Sequence, residues 1–132
     1  MKVGILSFQG SFLDHSKSIL SIGATPVLIK NEADIYDLDA LILPGGESTA
    51  MKKIDSYSKV FSVLDDFIKS GKPTLSTCAG TILLAKDVIG GDTTIPNIDI
   101  QVTRNAYGRQ TESFEGSVSF YDNNDIYCFI RA

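Results

Sequence analysis

The hydrophobic positions of the chain fall into short continuous runs and longer periodic segments. A continuous apolar run such as VGILSF (3–8), closed by Gln9 and Gly10, is typical of a strand buried on both faces of a parallel sheet. Apolar positions three or four residues apart predict a helix instead. Together the two patterns predict strands at 3–8, 26–30, 39–46 and 73–77, and helices at 12–22, 48–54, 58–71 and 79–88.

This alternation of buried strands and helices predicts an α/β fold. We expect an open, doubly wound, mostly parallel sheet with helices on both faces, of the flavodoxin-like kind. Beyond Gly90 and Gly91 the pattern becomes β-rich. Strands are predicted there at 99–104, 112–120 and 125–132, and turns at Gly108 and Asn123-Asn124. A chain of 132 residues fits one domain.

Composition and charge argue against some classes of protein. The hydrophobic fraction of 43% and the charged fraction of 21% are those of an ordinary globular protein, and no apolar run is long enough to span a bilayer. The start of the chain lacks the long apolar region of a signal peptide, so we expect a cytoplasmic protein. A formal net charge of −4 argues against a nucleic-acid partner. Cys78 and Cys128 form no CxxC pair, and we expect no disulfide between them.

The first loop expected to carry chemistry is STCAG (76–80). It follows the fourth predicted strand, and in a doubly wound sheet the working groups lie beyond the carboxyl ends of the strands. Small residues around Cys78 are typical of a strand-to-helix elbow that exposes a nucleophile. The helix N-terminus favours a thiolate, and the Ala79 N–H can donate to an oxyanion. The alternative is a buried structural cysteine at a helix start.

The second loop is PGGES (44–48), after the third predicted strand. Consecutive glycines let a backbone approach a ligand closely, so the Gly46 N–H is the second candidate oxyanion donor. Glu47 and Ser48 are candidates to bind the polar ends of a small substrate, and Ser48 is also the expected N-cap of the next helix. The alternative is a plain Pro-Gly turn capped by Ser48.

These motifs resemble those of class I (triad) glutamine amidotransferases, in particular the glutaminase subunits of pyridoxal 5′-phosphate synthases. ALILPGGESTA (40–50) is similar to a signature of that family, and TCAG (77–80) is similar to its elbow. Further similar segments are FQG with the Asp-His pair (8–15), RNAYGRQ (104–110), SFE and FIRA (129–132). The resemblance therefore extends along the whole chain.

The resemblance implies a role for each matching position. Cys78 is the nucleophile that attacks the side-chain amide of L-glutamine, and Gly46 and Ala79 donate to the oxyanion. The residues that hold glutamine come from three parts of the chain: Gly46, Glu47, Ser48, Arg104, Ile130 and Arg131. A planar guanidinium suits a carboxylate, which supports the two arginines, although a solvated surface position is the alternative for each. No metal and no cofactor are implied, and the partner is the synthase subunit of a hetero-oligomer.

A cysteine that forms an acyl-enzyme needs a base, which in this family comes from a His-Pro-Glu segment near the C-terminus. The sequence ends at Ala132 without such a segment, so we expect an amidotransferase-like fold over 1–132 that is incomplete at its C-terminus. The single histidine is His15, expected to be a packed or interface residue on the apolar face of the first helix with Phe12, Ile19 and Ile22. A truncated product, a fragment and a natural short form stay open, and the abrupt end on an apolar strand favours truncation.

Three functions follow as hypotheses. The first is a glutaminase subunit that hydrolyses L-glutamine to glutamate through a cysteine thioester and passes ammonia to the synthase. The second is a catalytically incompetent form that only binds glutamine or the synthase partner. The third is an α/β protein whose cysteine acts on aldehydes or oxidants; it gives no reason for PGGEST (44–49) and ranks last.

Overall fold

A computed structural model describes residues 1–108 and 110–129 of the chain. Its strands are β1 (Lys2–Leu6), β2 (Thr25–Ile29), β3 (Ala40–Leu43), β4 (Thr74–Ser76), β5 (Ala85–Ile89), β6 (Ile98–Thr103), β7 (Phe114–Phe120) and β8 (Asn123–Phe129). Its α-helices are α1 (Phe12–Ser21), α2 (Ser48–Ser58), α3 (Val60–Lys69) and α4 (Ala79–Leu84). Two short 3-10 helices, Glu32–Ile35 and Gln110–Glu112, lie in the connections.

The main sheet has four parallel strands in the order β2-β1-β3-β4. Leu43, the last residue of β3, pairs with Ser76, the last residue of β4, so both strands end side by side. β1 pairs with β3 on its other side, also in parallel. The carboxyl edge of the sheet therefore gathers three loops, residues 7–11, 44–47 and 77–78.

Different helices cover the two faces of this sheet. Val3, Ile5 and Ile42 are buried on the face that α1 covers, and Phe12 and Ile19 of that helix pack against them. The opposite face carries a larger apolar cluster, whose members from the strands and from α2, α3 and α4 include Leu6, Leu41, Leu43, Met51, Val60, Leu64, Leu83 and Leu84. A parallel sheet with helices on both faces confirms the predicted doubly wound α/β class. No helix in the described part of the chain has the length and apolar character needed to cross a membrane.

Two predicted helices differ in extent from the observed ones. The helix predicted at 48–54 continues to Ser58, and Lys59 separates it from α3 by adopting the left-handed region at φ 58°. The helix predicted at 79–88 ends at Leu84, because Ala85 takes an extended conformation and begins β5. The β-branched Val88 and Ile89 suit this strand, and parallel pairing with β6 supplies its hydrogen bonds.

The strands after Gly90 form small sheets of their own. β6 pairs with β5, whereas β7 and β8 form an antiparallel hairpin. The turn predicted at Asn123-Asn124 is wrong: Asn123 pairs with Phe120, and the two turn residues are Tyr121 and Asp122. The left-handed backbone of Tyr121, with φ 51°, permits this turn. Residues 130–132 of the last predicted strand lie outside the described residues.

Candidate active site

The proposed nucleophile stands at a strained turn between β4 and α4. Cys78 has φ 45° and ψ −111°, which is a sparsely populated conformation for a residue with a side chain, and the residue is exposed. Gly80 permits the turn, because a Cβ atom there would lie 2.1 Å from the carbonyl oxygen of Leu43. The elbow is therefore pressed against the end of β3, and the predicted strand-to-helix geometry around Cys78 is confirmed.

The glycine loop after β3 lies directly beside this elbow. A Cβ atom on Gly45 would be 3.3 Å from the Cβ atom of Cys78, which is closer than ordinary van der Waals contact. From the other side, Gly10 approaches with φ 94°, and a Cβ atom there would be 1.9 Å from the Gly45 carbonyl oxygen. Only residues without a side chain allow three backbone segments to meet this closely.

Two backbone N–H groups at this meeting point are the predicted oxyanion donors. Among the described residues, neither the Gly46 N–H nor the Ala79 N–H donates a hydrogen bond to another group of the chain. The N–H of Glu47, in contrast, donates to the side-chain oxygen of Gln9 at 2.6 Å. The loop therefore leaves the two predicted oxyanion donors available while its next N–H is bound.

Glu47 begins α2 as its N-cap. Its carboxylate accepts hydrogen bonds from the N–H groups of Thr49 at 3.0 Å and of Ala50 at 2.7 Å. Burial raises the pKa of the Glu47 carboxyl, but these bonds and the nearby Arg104 guanidinium outweigh it and hold the pKa below its ordinary value. The prediction of Ser48 as the N-cap is wrong, because Ser48 is the first helical residue and is buried.

Arg104 follows β6 and extends over the start of α2. Its Nη2 atom lies 3.2 Å from the hydroxyl oxygen of Thr49 and 3.6 Å from Oε1 of Glu47. The stem of the side chain is packed against Gly91, where a Cβ atom would be 2.9 Å from Cδ of Arg104. The guanidinium is therefore held half-buried at the wall of the site, with an acidic and a hydroxyl group beside it.

These groups surround one cavity of about 680 Å³, a volume within the range of small-molecule sites. Six predicted site residues line it together: Gly46, Glu47, Ser48, Cys78, Ala79 and Arg104. Two further predicted residues, Ile130 and Arg131, lie outside the described residues. The described part of the chain contains no group of three His, Cys, Asp or Glu side chains that could hold a metal ion.

Sequence reasoning assigned no individual role to several residues around this site. Gln9 is predicted only to close a strand and to belong to a segment similar to the family, yet its side-chain oxygen accepts a hydrogen bond from the N–H of Glu47. Thr49 contacts Arg104, and Cys128 lies on the cavity wall with Cys78 although the two thiols are far apart in sequence. Gln9 directly follows β1 at the carboxyl edge, and this position was the available signal.

His15 is half-buried, and it contacts the elbow. Its Nε2 atom lies 3.4 Å from the hydroxyl oxygen of Thr77, the residue before Cys78. The expectation of a packed or interface histidine on the face with Phe12 and Ile19 did not include this contact, in which the imidazole reaches the carboxyl edge of β4. Ile22, expected on the same apolar face, is 69% exposed.

Comparison with known proteins gives concordant matches. The model of the SNO glutamine amidotransferase family matches residues 5–132. The pyridoxal 5′-phosphate synthase subunit PdxT of Bacillus cereus (strain AH187) is 46% identical over 136 aligned positions, which cover 100% of this chain and 69% of that protein. The PdxT subunit of Bacillus thuringiensis (strain Al Hakam) is 44% identical over 135 positions, with the same coverage. A crystal structure of a glutamine amidotransferase superposes with a TM-score of 0.83 at 33% identity, covering 98% of this chain and 71% of that one.

Proposed function

Because the chain belongs to the SNO glutamine amidotransferase family, we propose that it is the glutaminase subunit of a pyridoxal 5′-phosphate synthase. In this role it hydrolyses L-glutamine to glutamate and passes the ammonia to the synthase subunit. One observation carries the proposal: the Gly45 backbone packs against Cys78, and the free N–H groups of Gly46 and Ala79 belong to the same cavity.

The polar groups of the cavity wall suit the two charged ends of glutamine. Arg104 would bind the α-carboxylate, because a guanidinium and a carboxylate form charge-assisted hydrogen bonds. Glu47 would attract the α-ammonium group, and its lowered pKa keeps the carboxyl ionised at neutral pH. Ile130 and Arg131 stay predictions from the family resemblance.

The reaction begins when the Cys78 thiolate attacks the carbon of the side-chain amide. A sulfur–carbon bond forms, and the electron pair of the C=O double bond moves to oxygen. The N–H groups of Gly46 and Ala79 would stabilise that oxyanion. When the oxyanion collapses, the carbon–nitrogen bond breaks and ammonia leaves with an added proton, which produces a thioester. Water then attacks the thioester, releases glutamate and restores the thiol.

Each of these steps moves a proton, so the reaction needs a base near Cys78. The family resemblance assigns that base to a His-Pro-Glu segment, which is not among the 132 residues. The proposal therefore assigns substrate binding, nucleophilic attack and oxyanion stabilisation to this chain.

The proposed partner is the synthase subunit, which would receive the ammonia in a hetero-oligomer. We also infer a cytoplasmic location, which the two free cysteines among the described residues support, since cytoplasmic thiols are kept reduced.

The test measures glutamate release by the gene-length protein, with and without the synthase subunit. We expect release that depends on the synthase and disappears in Cys78→Ala, because Cys78 is the cavity thiol that stands at the elbow beside the glycine loop. The matched control is Cys128→Ser, which removes the second cavity thiol and leaves the elbow intact. Glutamate release that is unchanged in Cys78→Ala would contradict the proposal.

A second candidate function is a chain that binds glutamine or the synthase without turnover. It is supported by the sequence, because His15 is its single histidine and the family resemblance assigns the base to a different one. In that case the chain co-elutes with the synthase, and glutamine slows the alkylation of Cys78 by iodoacetamide, but no glutamate forms. Measurable turnover by the 132-residue chain would exclude this candidate and would require a base other than a His-Pro-Glu histidine.

A further inference from the structure

The contact between His15 and Thr77 joins α1 to the nucleophile elbow. The two residues are 62 positions apart in the sequence, and both are half-buried. The Nε2 atom of His15 and the Thr77 hydroxyl oxygen are 3.4 Å apart, near the upper limit of a hydrogen bond. This contact links a helix of one sheet face with the residue that precedes Cys78.

Thr77 is also attached through its backbone. Its N–H donates to the Leu43 carbonyl at 3.0 Å, and its carbonyl accepts from the Gly80 N–H at 2.9 Å. These bonds fix the position of Thr77 along the end of β3 and the start of α4. The side-chain contact with His15 adds an attachment in a third direction, towards α1.

The elbow needs such attachments because its conformation is unfavourable. A residue with the backbone angles of Cys78 persists in them only when its surroundings hold it there. As the N-cap of α4, Cys78 forms no capping hydrogen bond through its side chain. The positions of Thr77 and Gly80, on either side of Cys78 and Ala79, therefore largely determine the direction of the thiol.

The same turn of α1 also contacts the glycine loop. The Ser11 N–H donates to the Gly45 carbonyl at 3.0 Å, and the His15 N–H donates to the Ser11 carbonyl at 3.3 Å. A Cβ atom on Gly45 would lie 3.7 Å from the Thr77 hydroxyl oxygen and 3.8 Å from that of Ser11. The turn from Ser11 to His15 thus connects the loop of the oxyanion donors with the elbow of the nucleophile.

We propose that His15 is a positioning residue for the glutaminase reaction. Its hydrogen bond to the Thr77 hydroxyl holds the elbow at a fixed distance from the Gly45 loop, so that the thiol and the oxyanion donors face one substrate carbon. The hydroxyl accepts from a protonated ring nitrogen and donates to an unprotonated one, so the bond forms with either tautomer. The inference rests on the proposed function, because it assigns His15 to the geometry of that reaction.

The test compares two reactions of Cys78 in a Cys128→Ser background, where Cys78 is the single thiol. Iodoacetamide reports the reactivity of the exposed thiol, whereas a diazoketone analogue of glutamine reacts only after it binds beside the oxyanion donors. We expect His15→Leu and Thr77→Val each to slow the diazoketone reaction about two- to tenfold, the effect of one hydrogen bond. Iodoacetamide labelling should change much less, and the double variant should be no slower than either single one.

Conservative variants separate positioning from general packing. His15→Gln and Thr77→Ser keep a hydrogen-bonding group and should recover most of the diazoketone rate. If His15→Leu is unfolded at the assay temperature, Thr77→Val and Thr77→Ser still provide the comparison between loss and retention of the hydrogen bond.

Two results would overturn this inference and leave the proposed function intact. One is a full diazoketone rate in Thr77→Val, because His15 would then not act through the hydroxyl. The other is additive losses in the double variant, because two residues that share one bond should not lose its effect twice. A wild-type chain that neither reacts with the diazoketone nor is protected by glutamine from iodoacetamide would instead overturn the proposed function, and the inference with it.

Discussion

Gly10→Ala tests whether the close backbone packing at the carboxyl edge forms the site. Gly10 has φ 94°, and an added Cβ atom would lie 1.9 Å from the Gly45 carbonyl oxygen and 2.8 Å from Cα of Gly46. Both contacts are with backbone, which cannot rotate away as a side chain can. The substitution should therefore push the glycine loop away from loop 7–11 and alter its distance from Cys78.

Gly23→Ala provides a matched control, because it shares the backbone penalty without the contact. Gly23 has φ 74°, and a Cβ atom there would meet no heavy atom of the described residues within 4 Å. A left-handed alanine costs about 1–2 kcal/mol, and the reduced freedom of the unfolded chain offsets about 0.4–1 kcal/mol of this. Steric overlap in a packed region adds about 1–3 kcal/mol in Gly10→Ala. We expect the free energy of unfolding to fall by about 1 kcal/mol in Gly23→Ala and by about 2–4 kcal/mol in Gly10→Ala.

Urea unfolding of both variants measures these losses, and the rate of Cys78 with the glutamine diazoketone measures the geometry of the site. The rate should fall clearly in folded Gly10→Ala and stay near wild type in Gly23→Ala, since Gly23 is remote from the glycine loop. Equal stabilities of the two variants, together with a wild-type diazoketone rate in Gly10→Ala, would refute the reasoning. They would mean that the glycine loop moves without a loss of folding free energy and that its position does not control the reaction of Cys78.

Three further predictions concern the cavity wall, acid sensitivity and the core. Thr49→Val removes the hydroxyl that accepts from Arg104, so glutamine should protect Cys78 from iodoacetamide about two- to tenfold less effectively, whereas Thr49→Ser should resemble wild type. Hydrogen bonds from Lys69 and Asn97 lower the pKa of the Asp65 carboxyl in the folded state. The ionised carboxyl therefore stabilises the fold, by under about 1 kcal/mol, above pH 4, and this stabilisation is lost as the pH falls through the lowered pKa. The difference in unfolding free energy between wild type and Asp65→Asn should accordingly be constant at pH 5–7 and shrink below pH 4; a constant difference down to pH 2 would contradict this. Leu64→Ala should destabilise the fold by about 2–5 kcal/mol in urea unfolding, because Leu64 is fully buried between α3 and the sheet, and a loss below 1 kcal/mol would contradict that packing.

The parallel sheet could be predicted from the sequence because its strands are continuous apolar runs. The run at 3–8 covers β1 except for Lys2, and the run at 39–46 contains β3; only the ends were misplaced, since Ser7 and Pro44 already belong to the loops. The site could be predicted in outline for the same reason. Once the strands are parallel, the segments that follow β3 and β4 must emerge at the same edge, and this places the glycine loop, through Gly45, beside Cys78.

The errors arise where tertiary contacts decide the local structure. Periodicity could not end α4 at Leu84, because β5 is a strand through its pairing with β6. Asn123-Asn124 has the composition of a turn, yet the rings of Tyr107, Phe114 and Phe129 pack with centroids 4.9–5.7 Å apart and favour a register in which Asn123 is paired. The contact of His15 with Thr77 joins distant segments, so no local pattern indicates it, and the position of Gln9 directly after β1 indicates its place at the carboxyl edge but not its bond to Glu47.

The strand order β2-β1-β3-β4 also determines when the site can form during folding. Val3 pairs with Ala40, and Leu41 pairs with Thr74, so two long connections must close before the elbow meets the glycine loop. Such closures are slow relative to helix formation, because their entropic cost is paid before the contacts form. Helical signal should therefore return early in refolding, while the ability of Cys78 to recognise a glutamine-like reagent should return late. Cys78 is in this sense a kinetic reporter of complete assembly of the sheet.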